Sequence, residues 1–393
     1  MNTNRARASA RTVGVMVCPV PGEPPIPEKQ FFRRLSSVGE KLGLTVFVFS
    51  PHRIDWQRER VVGYAYSATA GRWQKKWFPL PDAVYDRCFY STPQSFAAFR
   101  KPLLRLANTP GVRFLGYGLK GKWNVHQMLM RDERLRPHIP KTELLEGADD
   151  IERWLEEEGE LFLKPHGGSH GRGVLHIAAS PRGYVAIGRT YRNEQVRYSF
   201  RSLPKLLEWT AKFTAGRKYL IQRFLRLTAD DGTAFDIRAL VQKNGKGRWS
   251  LTGIAVRQGA PGSVTSNLHG GGHAEEAEPF LRKLYGKAAA DILQTVRDIA
   301  LRVPEVLETH HGRLAELGVD IGVDAEGRVW VLEANSKPGR SSFAALPDKQ
   351  ASRDAIVNPL LYAKYLLDTR GPYAAPPGSM KSTDAIHDAS DAI

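Results

Sequence analysis

The chain has 393 residues, 42% hydrophobic and 25% charged, a makeup that suits a globular protein with two or three cores. Its two cysteines, Cys18 and Cys88, exclude a disulfide framework and a cysteine zinc site. The 57 lysines and arginines against 41 acids leave a net charge of +16, which points to an anionic partner.

Residues 1–11 are basic and aperiodic and read as a disordered arm. From 12 to 118, strand-like runs at 13–17, 44–49, 83–85 and 112–115 alternate with helical stretches at 29–42 and 92–108. That alternation predicts a small doubly wound parallel α/β domain. The apolar run 13–20 carries Pro19 and is too short to span a membrane, so a buried first strand and a cytoplasmic protein are expected. A second unit, 119–216, holds predicted helices at 123–134 and 148–158 and a strand–loop–strand around Lys164. A third, 217–370, begins with a strand at 219–225. An antiparallel pair follows (234–242 and 248–257), then helices at 276–303 and 305–314. The tail, 371–393, is rich in Pro, Ser, Asp and Gly and is expected to be disordered.

Two segments carry chemistry. Segment 161–174 reads Leu-Phe-Leu-Lys-Pro-His-Gly-Gly-Ser-His-Gly-Arg-Gly-Val, an apolar strand that delivers Lys164 into a loop with four glycines. Glycines let successive backbone N–H groups cradle an anion, and Lys164 can reach the same phosphates. A flexible hairpin tip with a snorkelling lysine is the plainer alternative. No Gly-Lys-Ser/Thr follows, so this is not a P-loop. An upstream match to G-x-G-x-x-G, Gly116 to Gly121, is rejected as well. Its preceding strand is short, no acid stands about 20 residues on, and Trp123 occupies the place of the P-loop hydroxyl. The useful residue there is Lys122, which opens the helix.

The second segment, 316–339, reads as two strands, 317–323 and 328–334, joined by the turn 324–327. Glu333 and Asn335 then share a face, with Asp320 a diagonal cross-strand neighbour of Glu333. Two carboxylates and an amide oxygen suit Mg²⁺; a polar solvent-facing hairpin would look the same. Arg238 shares a strand face with Asp236, and an Asp236–Arg238 ion pair is one expectation for it. His269 and His273 flank Gly270-Gly-Gly272, too flexible for a preformed metal site, and His310-His311 read as a helix-end pair. From 161 to 226 the chain has 13 lysines and arginines against two acids, Glu194 and Glu208. An acidic substrate or polymer ranks above nucleic acid there, because no nucleic-acid signature accompanies the charge.

Together these blocks resemble the ATP-grasp superfamily, which includes glutathione synthetases and D-alanine ligases. Four of them are similar to the YheC/YheD family of endospore coat-associated ATP-grasp proteins: Lys164-Pro-x-x-Gly-Ser-x-Gly-Arg-Gly, Asp236-Ile-Arg-Ala-Leu-Val-Gln-Lys, Ser266-Asn-Leu with Gly270-Gly-Gly272, and Glu333-Ala-Asn-Ser-Lys-Pro-Gly-Arg. The resemblance implies an ATP-grasp fold of α/β and α+β class, with two α+β subdomains clamping ATP behind the N-terminal doubly wound parallel domain. It implies that Lys122 and Lys164 hold the α- and β-phosphates, with Gly168, Ser169 and Gly171 as a flap. Gln222 and Phe224 would lie in the adenine hinge, and the ribose partner stays open. Asp320, Glu333 and Asn335 would carry Mg²⁺. Arg238 would meet the γ-phosphate and the developing acyl phosphate, with Lys337, Arg257 and Asn267 on the substrate side.

The activity implied is an ADP-forming ligase that activates a carboxylate as its acyl phosphate and joins it to an amine or thiol. The carboxylate would be a peptide, an amino acid or a spore- or envelope-related substrate, and the protein would work in the cytoplasm or at the spore coat. A non-catalytic ATP-binding coat protein is the alternative. A nucleic-acid binder is motivated by charge alone.

Overall fold

A computed structural model describes residues 11–90, 93–168, 171–259 and 272–369. Three sheets organise them. The first is built from β1 (Arg11–Met16), α1 (Lys29–Lys41), β2 (Leu44–Asp55), β3 (Arg60–Ser67), β4 (Arg72–Pro79), β5 (Ala83–Asp86), α2 (Pro93–Ala107) and β6 (Arg113–Phe114), in strand order β4-β3-β2-β1-β5-β6. The strands β2, β1, β5 and β6 run parallel with helices on both faces, the doubly wound arrangement expected from the alternating pattern. The antiparallel β3–β4 hairpin has no counterpart in that reading. Strand β4 is an edge with exposed Lys75, Lys76 and Trp77, so its own sequence shows no alternation and its partner sets its register. Arg11, read as part of the arm, already belongs to β1.

After α3 (Lys122–Leu129), a second sheet is formed by β7 (Thr142–Leu145), α4 (Ala148–Glu158), β8 (Glu160–Pro165), β9 (Leu175–Ser180), β10 (Gly183–Arg189), β11 (Gln195–Phe200), α5 (Leu203–Thr214) and β12 (Tyr219–Gln222). Its order is β11-β10-β9-β8-β12-β7, and α4 and α5 cover one face through Trp154, Leu155 and Leu206. Helix α3 stops well short of the predicted residue 134. The Asp132 carboxylate accepts the backbone N–H groups of Arg134 and Leu135 and is clamped by Arg302, a turn that competes with the helix.

The third sheet follows, with β13 (Phe235–Lys243), β14 (Trp249–Gln258), β15 (His273–Glu276), α6 (Ala277–Tyr285), α7 (Ala289–His311), β16 (Glu316–Val323) and β17 (Val329–Asn335). Its order is β15-β14-β13-β16-β17, antiparallel throughout. One face packs on α6 and α7 through Ile237, Val319 and Val331 against Val296, Ala300 and Val303. The helix break expected at Pro304 lies instead at Gly286, whose φ of 55° leaves the helical region. Pro304 is buried inside α7, where the cost of one missing amide donor is outweighed by the packed face. Helices α8 (Ser341–Ala345) and α9 (Gln350–Asp368) end the described chain. Helix α9 returns to the first sheet: Ile356, Leu360 and Ala363 join Val13, Val15 and Leu35 in one core. Among the described residues no helix is long and apolar enough to cross a membrane.

Polar contacts lock the first sheet to the third. Glu316 on β16 is only 2% exposed and accepts from Tyr85 Oη (2.5 Å), Arg340 Nη2 (2.6 Å), Gln242 Nε2 (2.8 Å) and Arg87 Nη1 (3.4 Å). Arg87, fully buried, also donates from Nη2 to Glu28 at 2.9 Å and from Nη1 to the Pro338 carbonyl at 3.1 Å. Burial opposes the charge on Glu316, but Arg340 and Arg87 outweigh it and hold the carboxyl below its usual range. Its contribution to stability is therefore complete above the unfolded carboxyl's pKa of about 4.3 and is lost as pH falls through the lower folded value. Glu316→Gln should cost about 3–5 kcal/mol by leaving the buried Arg340 guanidinium without its anion and the buried Arg87 with Glu28 alone. Chemical denaturation at pH 7 measures that loss. A titration to pH 3 should show the variant missing part of the acid dependence of the parent.

Candidate functional site

The site begins with an irregularity in β17. Val331 pairs with Ile321 and Glu333 with Asp320, so Leu332 is an extra residue bulged out of the ladder. Strict alternation from the buried Val331 would turn Glu333 into the core. The bulge puts Val331 and Ala334 in the core and leaves Glu333 and Asn335 on the opposite face. It also brings Asp320 directly across from Glu333 rather than to the expected diagonal.

Glu333 and Asn335 form one wall of a cleft of about 180 Å³ between the second and third sheets. Lys122, Lys164, Gly168 and Gln222 line the other side. Lys122, at the first turn of α3, donates from Nζ to the Gly168 carbonyl at 2.6 Å and lies 3.4 Å from Glu333 Oε1. That helix end comes close because residue 121 is glycine: a Cβ there would lie 2.4 Å from the His166 ring. Lys164 Nζ donates to Gln222 Oε1 at 3.1 Å, and Gln222 in turn donates to Thr142 Oγ1 at 2.7 Å. Burial pushes the Lys164 ammonium down to about 8, with Glu333 opposing and Lys122 adding to the shift. His126, one helical turn after Lys122, lines the same cleft. Burial and the neighbouring Lys164 push it down to about 4, so it is neutral.

The glycine loop has the backbone its composition predicts: Gly168, Gly171 and Gly173 all have positive φ, at 95°, 64° and 71°. Ser169, Asn267 and His269 lie outside the described residues. Phe224 follows β12 and is not part of the cleft wall. Its ring stacks on His176 at 3.6 Å, with Phe162 6.3 Å away, on the sheet face that carries Lys164.

On the third sheet a row of alternating charges covers the face opposite the core. Arg238 forks onto Asp320, with Nη2 to Oδ2 at 3.0 Å. Arg257 bridges Asp236 (2.5 Å) and Asp320 (3.0 Å). The Asp236–Arg238 pair expected from strand parity is therefore replaced by cross-strand pairs, since β13 meets β14 and β16 in register at these residues. Burial works against the Asp320 charge, and the two arginines overcome it to keep the carboxyl below its usual range. Lys337 is held away from the cleft: its Nζ donates to Asp86 Oδ2 at 2.9 Å and to the Cys88 carbonyl at 2.7 Å.

The donor chemistry fits a hard divalent cation. Glu333 and Asn335 offer oxygens on the cleft wall beside Asp320, and Mg²⁺ takes one or two carboxylates with waters and phosphate oxygens making up the rest. The sequence reading missed His126, Thr142 and Asp86. His126 was accessible, because i,i+4 spacing from Lys122 puts both on one helix face. Thr142 and Asp86 come from strands remote in sequence, with no local signal.

The chain belongs to the YheC/D-like ATP-grasp family, whose model matches residues 111–366. It is 30% identical over 340 residues to the endospore coat-associated protein YheC of Bacillus subtilis (strain 168), covering 86% of this chain and 93% of that protein. To YheD of the same organism, also called an endospore coat-associated protein, it is 30% identical over 320 residues, covering 80% and 69%. Similar solved structures include the D-cycloserine synthetase DcsG (16% identity, TM-score 0.49, 90% and 98% covered). Another is the ATP-grasp ligase PsnB complexed with minimal precursor, Mg and ADP (14%, TM-score 0.47, 88% and 98%).

Arg257→Leu would remove the cation that bridges Asp236 and Asp320 in a buried setting, leaving Arg238 on Asp320 alone. A loss of about 3–5 kcal/mol is expected at pH 7. The parent holds Asp320 below its usual range, so the stability Arg257 adds is lost below the unfolded carboxyl's pKa of about 4, and the gap to the parent should narrow between about pH 4 and about pH 2. Urea denaturation at neutral pH and across that range measures it.

Proposed function

We propose that the chain is an ATP-dependent, ADP-forming ligase that activates a carboxylate as its acyl phosphate. The observation that carries this reading is the convergence of Lys122, Lys164, the glycine loop, Gln222, Glu333 and Asn335 on one cleft, from segments up to 213 residues apart (122 to 335). In this reading the three units meet at about residues 118 and 216, with the nucleotide between the second and third. Lys122 and Lys164 hold the α- and β-phosphates, and the positive-φ glycines let backbone N–H groups close over them. Gln222 ends β12 beside Lys164, where the adenine edge would meet the backbone. Phe162, His176 and Phe224 extend an apolar sheet face for its ring. Glu333 and Asn335, with Asp320 across the bulge, would hold Mg²⁺, which when bound neutralises phosphate charge in the transition state.

Arg238 supplies a planar, permanently charged fork for the γ-phosphate and the acyl phosphate. In the reaction a substrate carboxylate oxygen attacks the γ-phosphorus and ADP leaves. An amine or thiol then attacks the acyl carbon and phosphate leaves. The chain's part is positioning and charge neutralisation, so no side-chain nucleophile is needed. Lys337, fixed by Asp86 at the carboxyl end of β5, would orient the incoming acceptor. The relatives' designation as coat-associated favours one competing reading, an ATP-binding coat protein without turnover, which retained binding with no product from any carboxylate would support.

Lys164 gives ATP affinity a pH dependence. The free ammonium loses its proton near pH 8, whereas bound phosphates keep it protonated. Binding must then take up a proton, and affinity should fall as pH rises from 7 to 9, approaching about tenfold per unit. Lys164→Met should bind weakly with a flat profile. Isothermal titration with ATP and Mg²⁺ over that range is the check, and a parent profile as flat as the variant's would remove Lys164 from the site.

The reaction itself is tested by supplying ATP, Mg²⁺ and pools of amino acids, peptides and acidic polymers. ADP, phosphate and a condensed product are expected by mass spectrometry. AMP and pyrophosphate would mean adenylation and overturn the acyl phosphate route. Glu333→Gln should cut turnover at least about tenfold with little change in melting temperature.

A further inference from the structure

Strand β11 is the outer strand of the second sheet: it pairs with β10 and, among the described residues, with no other strand. Its outer backbone groups are therefore free to pair with another chain. Natural edges are commonly blunted by lysine, proline or a covering element. Here the strand is Gln-Val-Arg-Tyr-Ser-Phe (195–200), with neither, and Gln195, Arg197, Tyr198 and Ser199 are exposed.

Four guanidiniums surround it. Arg192 precedes the strand, Arg197 lies within it and Arg201 follows it. Arg182 sits beside Arg201, since a Cβ on Gly183 would lie 3.0 Å from the Arg201 Cα. All four are exposed, and their side chains make no ion pair or hydrogen bond among the described residues. The neighbouring acids are committed elsewhere: Glu194 to Thr190, and Glu208 to Lys212.

The register says where such a partner would lead. Arg197 pairs with Ile187, Ile187 with His176 and His176 with Phe162, so all four side chains share the sheet face that also carries Lys164. Three interstrand steps make that path roughly 15 Å, four or five extended residues. The rings of β11 itself lie on the other face: Tyr198 and Phe200 pack on Trp209 of α5 at 5.0 and 5.4 Å, so the strand sets no ring of its own beside Arg197 on which a nucleic-acid base could stack.

We propose that the β11 edge takes up an extended acidic polypeptide as an added strand. The carboxylate presented to the cleft would then belong to a Glu/Asp-rich peptide. The docking stands without the ligase reading; only the use of the peptide as substrate rests on it.

The test is fluorescence anisotropy with a labelled 12-residue peptide of alternating Glu and Val at 150 mM salt, alongside the thermal shift produced by ATP and Mg²⁺. The parent should bind. The double variant R197E/R201E should bind at least about tenfold more weakly while keeping its ATP shift, which also shows that it folds. The same peptide N-methylated at alternate amides should fail to pair. Equal binding of the methylated peptide would reduce the contact to diffuse charge and overturn the added strand, and tighter binding of an RNA of equal charge would overturn the choice of partner. No peptide binding with an intact ATP shift sinks this proposal alone. Peptide binding with no ATP shift sinks the ligase reading alone.

Discussion

Everything at the cleft depends on where β16 sits, and β16 is held by the buried carboxylate at its first residue. Glu316 gathers Tyr85 from the first sheet, Gln242 from the neighbouring strand, and Arg87 and Arg340 from two loops. Residues of one parity along β16 share a face, so Glu316, Gly318 and Asp320 form a row from this lock to the charged face of the site. Gly318 keeps the row passable: a Cβ there would lie 2.9 Å from Pro338 and 3.2 Å from Arg238 Nη1. The segment after Asn335 is fixed from beneath as well, because Arg87 and Arg340 both donate to the Pro338 carbonyl. The position of Asn335 and Lys337 is thus set by contacts made more than 200 residues away in sequence.

The distribution of charge in the cleft and on the sheet face beside it follows from that rigidity. Lys122, Lys164, Arg238 and Arg257 face Asp236, Asp320 and Glu333, four fixed cations against three anions. The acids on the third sheet are consumed by arginines in forked pairs, and Glu333 at 3.4 Å is a looser partner for Lys122. On the second sheet Lys164 has a neutral partner, Gln222, and neutral His126 nearby. A desolvated lysine with only an amide for a hydrogen-bond partner is under-compensated, which is why its proton is held weakly. An arriving phosphate supplies the missing anion at the end of the cleft where the deficit lies.

Where local pattern dominates, the fold was legible in the sequence. The Asp324–Gly327 turn, the helix at 148–158 and the parallel strands of the first sheet follow from turn chemistry and apolar patterning, and the family likeness rests on the four quoted motifs. Legibility ends where tertiary packing overrides the local rule. Pro304 continues a helix because ten residues of α7 are buried against the third sheet and its neighbours. Strand β4 is held by its partner and not by its own alternation. The Asp236–Arg238 expectation failed for a related reason: side chains two apart on a strand share a face but lie farther apart than directly opposed residues, and each arginine found its acid across the ladder.

The bulge at Leu332 shows how one backbone irregularity makes the site possible. Counting by twos from Val331 would send Glu333 toward α6 and α7, a carboxylate among the apolar side chains of that core. The sequence Val-Trp-Val-Leu-Glu-Ala-Asn can satisfy its core and its cleft only if one residue drops out of register, since Val331 and Ala334 are three apart and both must face inward. With Leu332 as that residue, Glu333 faces Asp320 and Lys122, and Asn335 follows on the same side. The bulge is therefore dictated by the apolar pattern, and the placement of the candidate metal-binding oxygens is its consequence.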